Sequence, residues 1–392
     1  MKSKNLTFKY SAQQLLYWAA VCCIISFAAS YLLANGFNAS ETGRILFTAN
    51  FISFVLQPVV AGKADRAEKN IISLLLLILS GITAVCFLAV RFFPLPKLVF
   101  SFLYIVGMAS LDMEVPLLNS ENVYYSDRGW NINYGLARAA GSASYSLMSL
   151  GLGYVIELFG AGWVPVISIG LMLALLAFVA VMPKDESDSS RQKLNDETCS
   201  LPAFFIKYKW YCLSLSGVLL LAMFHVMVEN YLIEILRRLG GNSSGVGIAL
   251  FIATVVEAPM LVVFAKIHRK IGSYKALLIA GISYCLKAVL FILARSVPMI
   301  YAAQILQVSS YSFLSPVQMY YAGECTSEAD MVKGQSVITA AYALGCALGN
   351  LLGGELIASF GVPVMLYAAF VITLLGTISL IITVPKAFPE PA

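Results

Sequence analysis

Apolar residues run along this chain in long unbroken stretches, unlike the spaced stripes of a soluble helix or the alternation of a half-buried strand. A helix needs roughly 20 mainly apolar residues to cross a bilayer's hydrocarbon core. Stretches of that order lie near 11–35, 42–61, 70–91, 98–123, 134–158, 163–182, 210–236, 245–265, 274–294, 297–321, 334–358 and 363–384. Gly, Pro or charged residues bound each of them. In lipid a spanning segment must satisfy its own backbone, so stretches this long predict helices. The expected class is an all-α membrane protein with twelve transmembrane helices in two pseudo-symmetric six-helix bundles.

The polar positions between these stretches orient the chain. With the N-terminus in the cytoplasm, the cytoplasmic connections carry most of the Lys and Arg, from Lys2, Lys4 and Lys9 to Lys333 and Lys386. The other side keeps only Arg44, Arg91, Lys97, Arg237, Arg238 and Arg295. That bias predicts both termini inside a multi-pass protein of the cell membrane. The first stretch is too long for a secretory signal, and further spans follow it. Lys184 to Lys209, which contains KDESDSSRQKLNDET, is too polar and too long for an ordinary helix connection. It divides an N-terminal six-helix bundle at 1–183 from a C-terminal one at 210–392, with 184–209 as a cytoplasmic linker.

The two halves resemble each other. VVAGKADR follows the second span, and VVFAKIHR follows the eighth at the corresponding place. Gly153-YVIEL-Phe159-Gly160 corresponds to Gly354-ELIAS-Phe360-Gly361 with the same interval between glycines. Such matches indicate a parallel internal repeat about an axis along the membrane normal. Gly345, Gly349 and Gly353 recur every four residues, a stripe that lets a neighbouring backbone approach closely.

Composition agrees with this picture and removes alternatives. Hydrophobic residues make up 59% of the 392 positions and charged ones 12%, against about 25% charged in soluble domains. The net charge of +5 is spread over connections, so it marks topology and points to no nucleic-acid partner. The eight cysteines form no CxxC and have no partner histidine spacing, and read as free buried thiols. There is no P-loop, HExxH, nucleophile elbow or metal-spaced Cys/His cluster. The chain is therefore expected to be no enzyme and no primary pump, with no catalytic residue, metal or cofactor.

A charge at mid-bilayer costs about 3 kcal/mol on insertion scales, so each one within a span asks for a reason. Asp112, Glu114, Arg138, His225, Glu229, Glu257, Lys287 and Glu355 are such residues. Glu257 and Lys287 lie centrally in their stretches, which predicts that they face a polar cavity and compensate each other's charge. Pro259 weakens the helix beside Glu257, so a break there would expose a binding element. In the fourth span Asp112 and Asn119 share one helical face, and Glu114 and Glu121 share another. Both pairs cannot face one cavity, and the spacing leaves the choice open. Gln57, Tyr145, Gln304, Gln307 and Tyr311 also lie at helical depth, where amides and rings suit polyhydroxylated solutes.

Several segments carry a family resemblance over nearly the whole chain. They are Ser40, Thr42-Gly43 and Gln57-Pro58 followed by Gly62-Lys-Ala-Asp65-Arg66; Pro116-Leu-Leu-Asn119-Ser120; Tyr134-Gly135-x-x-Arg138-x-x-Gly141-Ser142; and Glu257-x-Pro259 ending at Gly272. In this order and spacing the chain resembles the oligosaccharide and nucleoside proton-symporter branch of the major facilitator superfamily, with lactose permease a distant relative. The resemblance implies substrate contacts at Arg138, Tyr145 and Lys287; Asn119 and Gln57 stand in the matching motifs, and Gln307 and Tyr311 join them as polar residues at helical depth. Asp65 and Arg66, placed in the connection after the second span, are expected to act in a cytoplasmic gate rather than in binding. Ser120 departs from the pattern where a sugar-binding glutamate would stand, with Glu121 adjacent. Gln304, Gln307 and Ser310 replace the tenth-helix lysine, histidine and proton-carrying glutamate, so that relay does not carry over. Proton coupling is then expected at Glu257, Glu229 or Glu114.

The resulting expectation is alternating-access uptake of a small polar solute, a sugar or nucleoside, by a monomer in the bilayer, with a proton or other cation as coupling ion. The competing expectation is an exporter or permease for an amphipathic or aromatic compound.

Overall fold

The computed structural model describes residues 2–66, 71–126, 128–130, 132–183 and 200–388, and its described residues are helical throughout, with no strand. The helices follow the apolar stretches. α1 (Lys2–Val21), a single π-turn (Cys22–Ser26) and α2 (Ala28–Ala34) share the first stretch. Then come α3 (Ala39–Arg66) and α4 (Ile72–Phe92), α5 (Lys97–Asp112) and α6 (Glu114–Ser126) within the fourth stretch, α7 (Tyr134–Phe159) and α8 (Trp163–Ala180). A short α9 (Leu201–Lys207) precedes α10 (Lys209–Glu229), α11 (Leu232–Arg237) and α12 (Ser243–Leu293). α13 (Val297–Gln304) and α14 (Tyr311–Cys325) flank a 3₁₀ turn (Ile305–Val308), and α15 (Met331–Phe360) and α16 (Val362–Ala387) complete the chain.

Among the described residues eight helices are long and apolar enough to cross a membrane, and nine if the bent pair at Ser26 and Ala28 counts as one span. α12 conceals a further pass. Its 51 residues would extend about 77 Å at 1.5 Å per residue, more than twice the hydrocarbon core. Gly272, at φ 73° and ψ 171°, interrupts it, and an L side chain would strain that backbone. The helix runs without a break through Pro259, so the interruption expected beside Glu257 lies instead at Gly272.

Two other expectations change. Asp65 and Arg66 lie at the end of α3 and not in a connection, because that helix continues through Arg66; their side chains fall outside the described residues. The segment expected to be a linker ends in helix α9, while 184–199 lies outside the described residues.

The chain divides into two compact units, Met1–Gln192 with Ser243–Phe251, and Lys193–Asn242 with Ile252–Ala392. In the first, α1 packs along α7 and α8, and α4 packs along α5 and α8. In the second, α10 packs along α15 and α16. In each unit the first long helix thus lies against two later ones, α7 and α8 for α1, and α15 and α16 for α10. The repeated glycines mark equivalent ends: Gly160 closes α7 at φ 88°, and Gly361 closes α15 at φ 83°.

The glycine stripe of α15 performs the packing its spacing predicts. A Cβ on Gly349 would sit 2.6 Å from the Met223 carbonyl oxygen, and one on Gly353 would sit 2.9 Å from the Tyr231 ring. A Cβ on Gly345 would collide with the Leu219 carbonyl oxygen. Buried tyrosines link the helices through carbonyl oxygens: Tyr104 donates to Ile24 at 2.7 Å, inside the π-turn, and Tyr231 donates to Asn350 at 2.6 Å. The outward faces are apolar, as in the exposed series Leu74, Ile78, Ile82 and Val85 along α4, which is the face a helix presents to lipid.

Candidate functional site

The tenth stretch is broken where the sequence contains neither Gly nor Pro. After Gln304 the chain tightens into the 3₁₀ turn, and Ser310 leaves helical geometry at φ −91° and ψ −86° before α14 begins. Such a break frees carbonyl groups that lipid cannot satisfy. Nearby hydroxyls take over: Ser310 donates to the Leu306 carbonyl at 2.9 Å, and Ser312 donates to the Gln307 carbonyl at 2.8 Å. The turn leaves Gln304 and Gln307, both buried, on one polar cluster.

That cluster centres on an ion pair. Lys287 Nζ lies 2.7 Å from Glu229 Oε1, with the lysine side chain 1% exposed and the glutamate 11%. Lys287 also donates to Gln307 Oε1 at 2.8 Å, and Gln304 Nε2 donates to Glu229 Oε2 at 3.0 Å. Each charge is thus matched by an opposite charge and an amide, the arrangement that makes a buried pair tolerable. Around it, the His225 ring stacks on Tyr311 with centroids 4.7 Å apart, and the buried Tyr284 packs edge-on at 6.1 Å from His225.

Lys287 therefore does not pair with Glu257, as its central position had predicted. Its ammonium reaches α10, where Glu229 ends the helix, and among the described residues its polar bonds go to Glu229 and Gln307. Glu257 is half-buried on α12 and is an electrostatic neighbour of Tyr284.

The first unit holds the remaining predicted residues. The Arg138 guanidinium lies 4.2 Å from the Trp18 ring centroid and donates to Ser142 Oγ at 3.0 Å, one turn along its own helix. Trp18 is seated by its own bond to Gln14 Oε1 and by the missing side chain of Gly141, whose Cβ would meet the indole Cδ1 at 2.5 Å. Tyr145 and Ser26 share a hydrogen bond of 2.6 Å, which joins α7 to the π-turn. Asn119 is exposed and accepts from Tyr134 at 3.2 Å.

Pro116 explains Gln57. Lacking an N–H, the proline leaves the carbonyl of Asp112 without its helical partner, and the chain breaks at Met113. Gln57 Nε2 donates to that carbonyl at 3.4 Å, and Ser53 Oγ approaches the Asp112 carboxylate at 3.4 Å. The faces of the fourth stretch are thereby distinguished. Glu114 and Glu121 are fully buried, Glu114 beside Ser80 and Glu121 beside Gln13, whereas Asp112 is half-buried and Asn119 exposed.

A family model described as "MFS_1 like family" matches residues 7–369. The chain belongs to that family. A maltose permease of Geobacillus stearothermophilus is 23% identical over 359 residues, covering 88% of this chain and 86% of the permease. Among solved structures, a variant of the nucleoside transporter NupG superposes with a TM-score of 0.83 at 13% identity, over 98% of this chain and 100% of that one. A bacterial homologue of the human lysosomal transporter Spinster gives 0.73 at 16% identity, over 100% and 99%. As an MFS_1-like protein, the chain is a multi-pass membrane transporter and not an enzyme.

In this MFS_1-like chain, three residues predicted from separate spans meet: Glu229, Lys287 and Gln307. Arg138, Tyr145, Asn119 and Gln57 belong to the other unit and lie on different local networks there. Sequence reasoning missed Trp18, the platform under Arg138, which looked like one more aromatic residue in an apolar run. It also missed the 305–310 break, whose one trace is the Ser309-Ser310 pair. Among the described residues no group of three His, Cys, Asp or Glu side chains could hold a metal ion.

Proposed function

We propose that this chain takes up a small polar organic solute, a sugar or nucleoside, by alternating access in the cell membrane, as a monomer with both termini in the cytoplasm, driven by a proton carried on Glu229. The observation that carries the reading is the buried network of Glu229, Lys287, Gln304 and Gln307 at a broken helix. Buried ionisable groups of a membrane protein mark substrate and ion routes, and discontinuous helices supply binding groups. The named relatives support the solute class: one is a maltose permease and another a nucleoside transporter.

Glu229 is preferred to Glu257 because protonating it changes the partner of a buried cation, which gives the proton leverage over structure. Glu114 is less suited, having no cation partner to release among the described residues. Asp65 and Arg66, at the end of α3, retain the gate assignment.

The test is uptake into proteoliposomes under an inward proton gradient, with proton entry followed by an internal pH dye. E229Q is expected to lose gradient-driven accumulation and proton entry while keeping solute exchange, and E257Q to keep both. Full coupling in E229Q, or loss of coupling confined to E257Q, would move the proton site to Glu257.

A further inference from the structure

The ion pair makes a statement about the solute's charge. With Glu229 ionised, the cluster of Glu229 and Lys287 is neutral and closed on itself. A proton on Glu229 would leave the Lys287 ammonium, 1% exposed, without an anion. An uncompensated buried charge is among the costliest states a protein can adopt. A neutral hexose or nucleoside does nothing to relieve it, but a solute carboxylate does.

We infer that Lys287 is the binding site for the carboxylate of an acidic solute, and that Glu229 yields it by taking a proton, so that one proton and one organic anion enter together. This deepens the proposed function by naming the solute class as a sugar acid. No covalent bond changes: the proton adds to a Glu229 oxygen, and the Lys287 N–H donor turns from that carboxyl to the solute's.

The amides fit both states. Gln304 Nε2 donates to Glu229 Oε2 now, while its Oε1 is buried without a partner. Turning the amide by half a revolution would let that Oε1 accept the new carboxylic O–H, so Gln304 is a positioning residue for either protonation state. Gln307 uses its Oε1 for Lys287. Its N–H₂ makes no bond among the described residues and stands beside Lys287, ready for the second oxygen of a carboxylate. Glu229 keeps the larger share of accessible surface, so the proton reaches the pair from its side. The stacked His225 and Tyr311 border the same cluster as a flat face for the rest of the solute.

The other ionisable groups around Glu229 and Lys287 are His225 on α10, and Tyr284 on α12. Glu257, Tyr311, Tyr342 and Cys346 lie farther out around Tyr284. Neither Glu229 nor Lys287 has a second carboxylate within ion-pair distance among the described residues.

The experiment has a binding arm and a transport arm. Melting temperatures of purified wild type, E229Q and the E229Q/K287Q double variant are measured with glucuronate, galacturonate and gluconate, against glucose, galactose and uridine, at roughly pH 5.5 and roughly pH 8 on either side of neutrality. The acids are expected to stabilise wild type more at the lower pH than at the higher, E229Q equally at both, and the double variant at neither. Above the pH at which Glu229 loses its proton, the acid's apparent affinity falls about tenfold per pH unit. In proteoliposomes, acid uptake follows the pH gradient and is blind to an imposed membrane potential, since the pair crosses with no net charge.

Stabilisation by the neutral sugars or uridine instead, no response to the acids in either wild type or E229Q, or potential-driven uptake would each overturn the inference. The broader reading fails by a different result, namely that no solute, acidic or neutral, accumulates under any proton gradient.

Discussion

In the first unit Arg138 rests on an indole and a hydroxyl of its own helix, whereas in the second Lys287 is joined to a carboxylate from another helix. The first arrangement leaves the cation half-buried and without a carboxylate partner among the described residues. The second hides the cation and neutralises it. The first unit also buries two acids, Glu114 and Glu121, away from any cation within ion-pair distance among the described residues. Repeats of one architecture thus handle charge differently. A guanidinium on a ring can bind a solute without changing its own protonation, while a carboxylate–ammonium pair has a state that a proton can switch.

Breaking the pair should give the largest effect. K287L leaves Glu229 buried alone, and removing one partner of a buried pair costs about 3–5 kcal/mol. Thermal melts in detergent are expected to show K287L far below wild type, and E229M/K287L near it or above, because apolar replacement of both partners is often neutral or stabilising. An equal loss in the single and double variants would show that the two charges do not act as a pair.

A smaller effect is expected at the helix seam shared by α10 and α15. G349L forces a side chain against the Met223 carbonyl, and overpacking costs roughly 1–3 kcal/mol. Because α10 also carries His225 and Glu229, the melt should fall and apparent solute affinity should weaken with it.

In the first unit, R138K keeps the charge but loses the planar group over Trp18. Cation–π contacts contribute about 0.5–2 kcal/mol, and Arg and Lys are not interchangeable at a stacked site. Solute affinity is expected to weaken by about tenfold or more, and the melt to fall by no more than the contact itself contributes, about 0.5–2 kcal/mol. Recovery to wild-type affinity by lysine would mean that charge alone matters there.

The smallest effect belongs to the buried acids of the first unit. E114Q and E121Q replace a buried carboxyl, beside Ser80 or Gln13, with a neutral isostere, so melts should change by about 1 kcal/mol or less. A large loss from either would place an undetected ionic partner beside it.

Much of this fold was legible because lipid leaves a segment few choices. Apolar length located the helices, and the spacing of Gly345, Gly349 and Gly353 foretold the close approach of α10. The paired Gly160 and Gly361 foretold matching helix ends. The ion pair was less legible. Glu257 lies mid-stretch and drew the assignment to Lys287, while Glu229 lies near the end of α10 and becomes its partner only through the packing of separate helices. The 305–310 break escaped for a related reason. Its stability comes from serine hydroxyls bonding freed carbonyls, and serine is common enough in such helices to carry little signal. Pro259, a stronger signal, sits inside continuous helix.

The claim that Glu229 is the proton carrier can be put to one direct observation: infrared difference spectra of the protein in lipid, titrated through neutral pH with and without transported solute. Wild type and E257Q are predicted to show a solute-promoted protonated-carboxyl band that E229Q lacks. A band that survives in E229Q and disappears in E257Q would contradict the account.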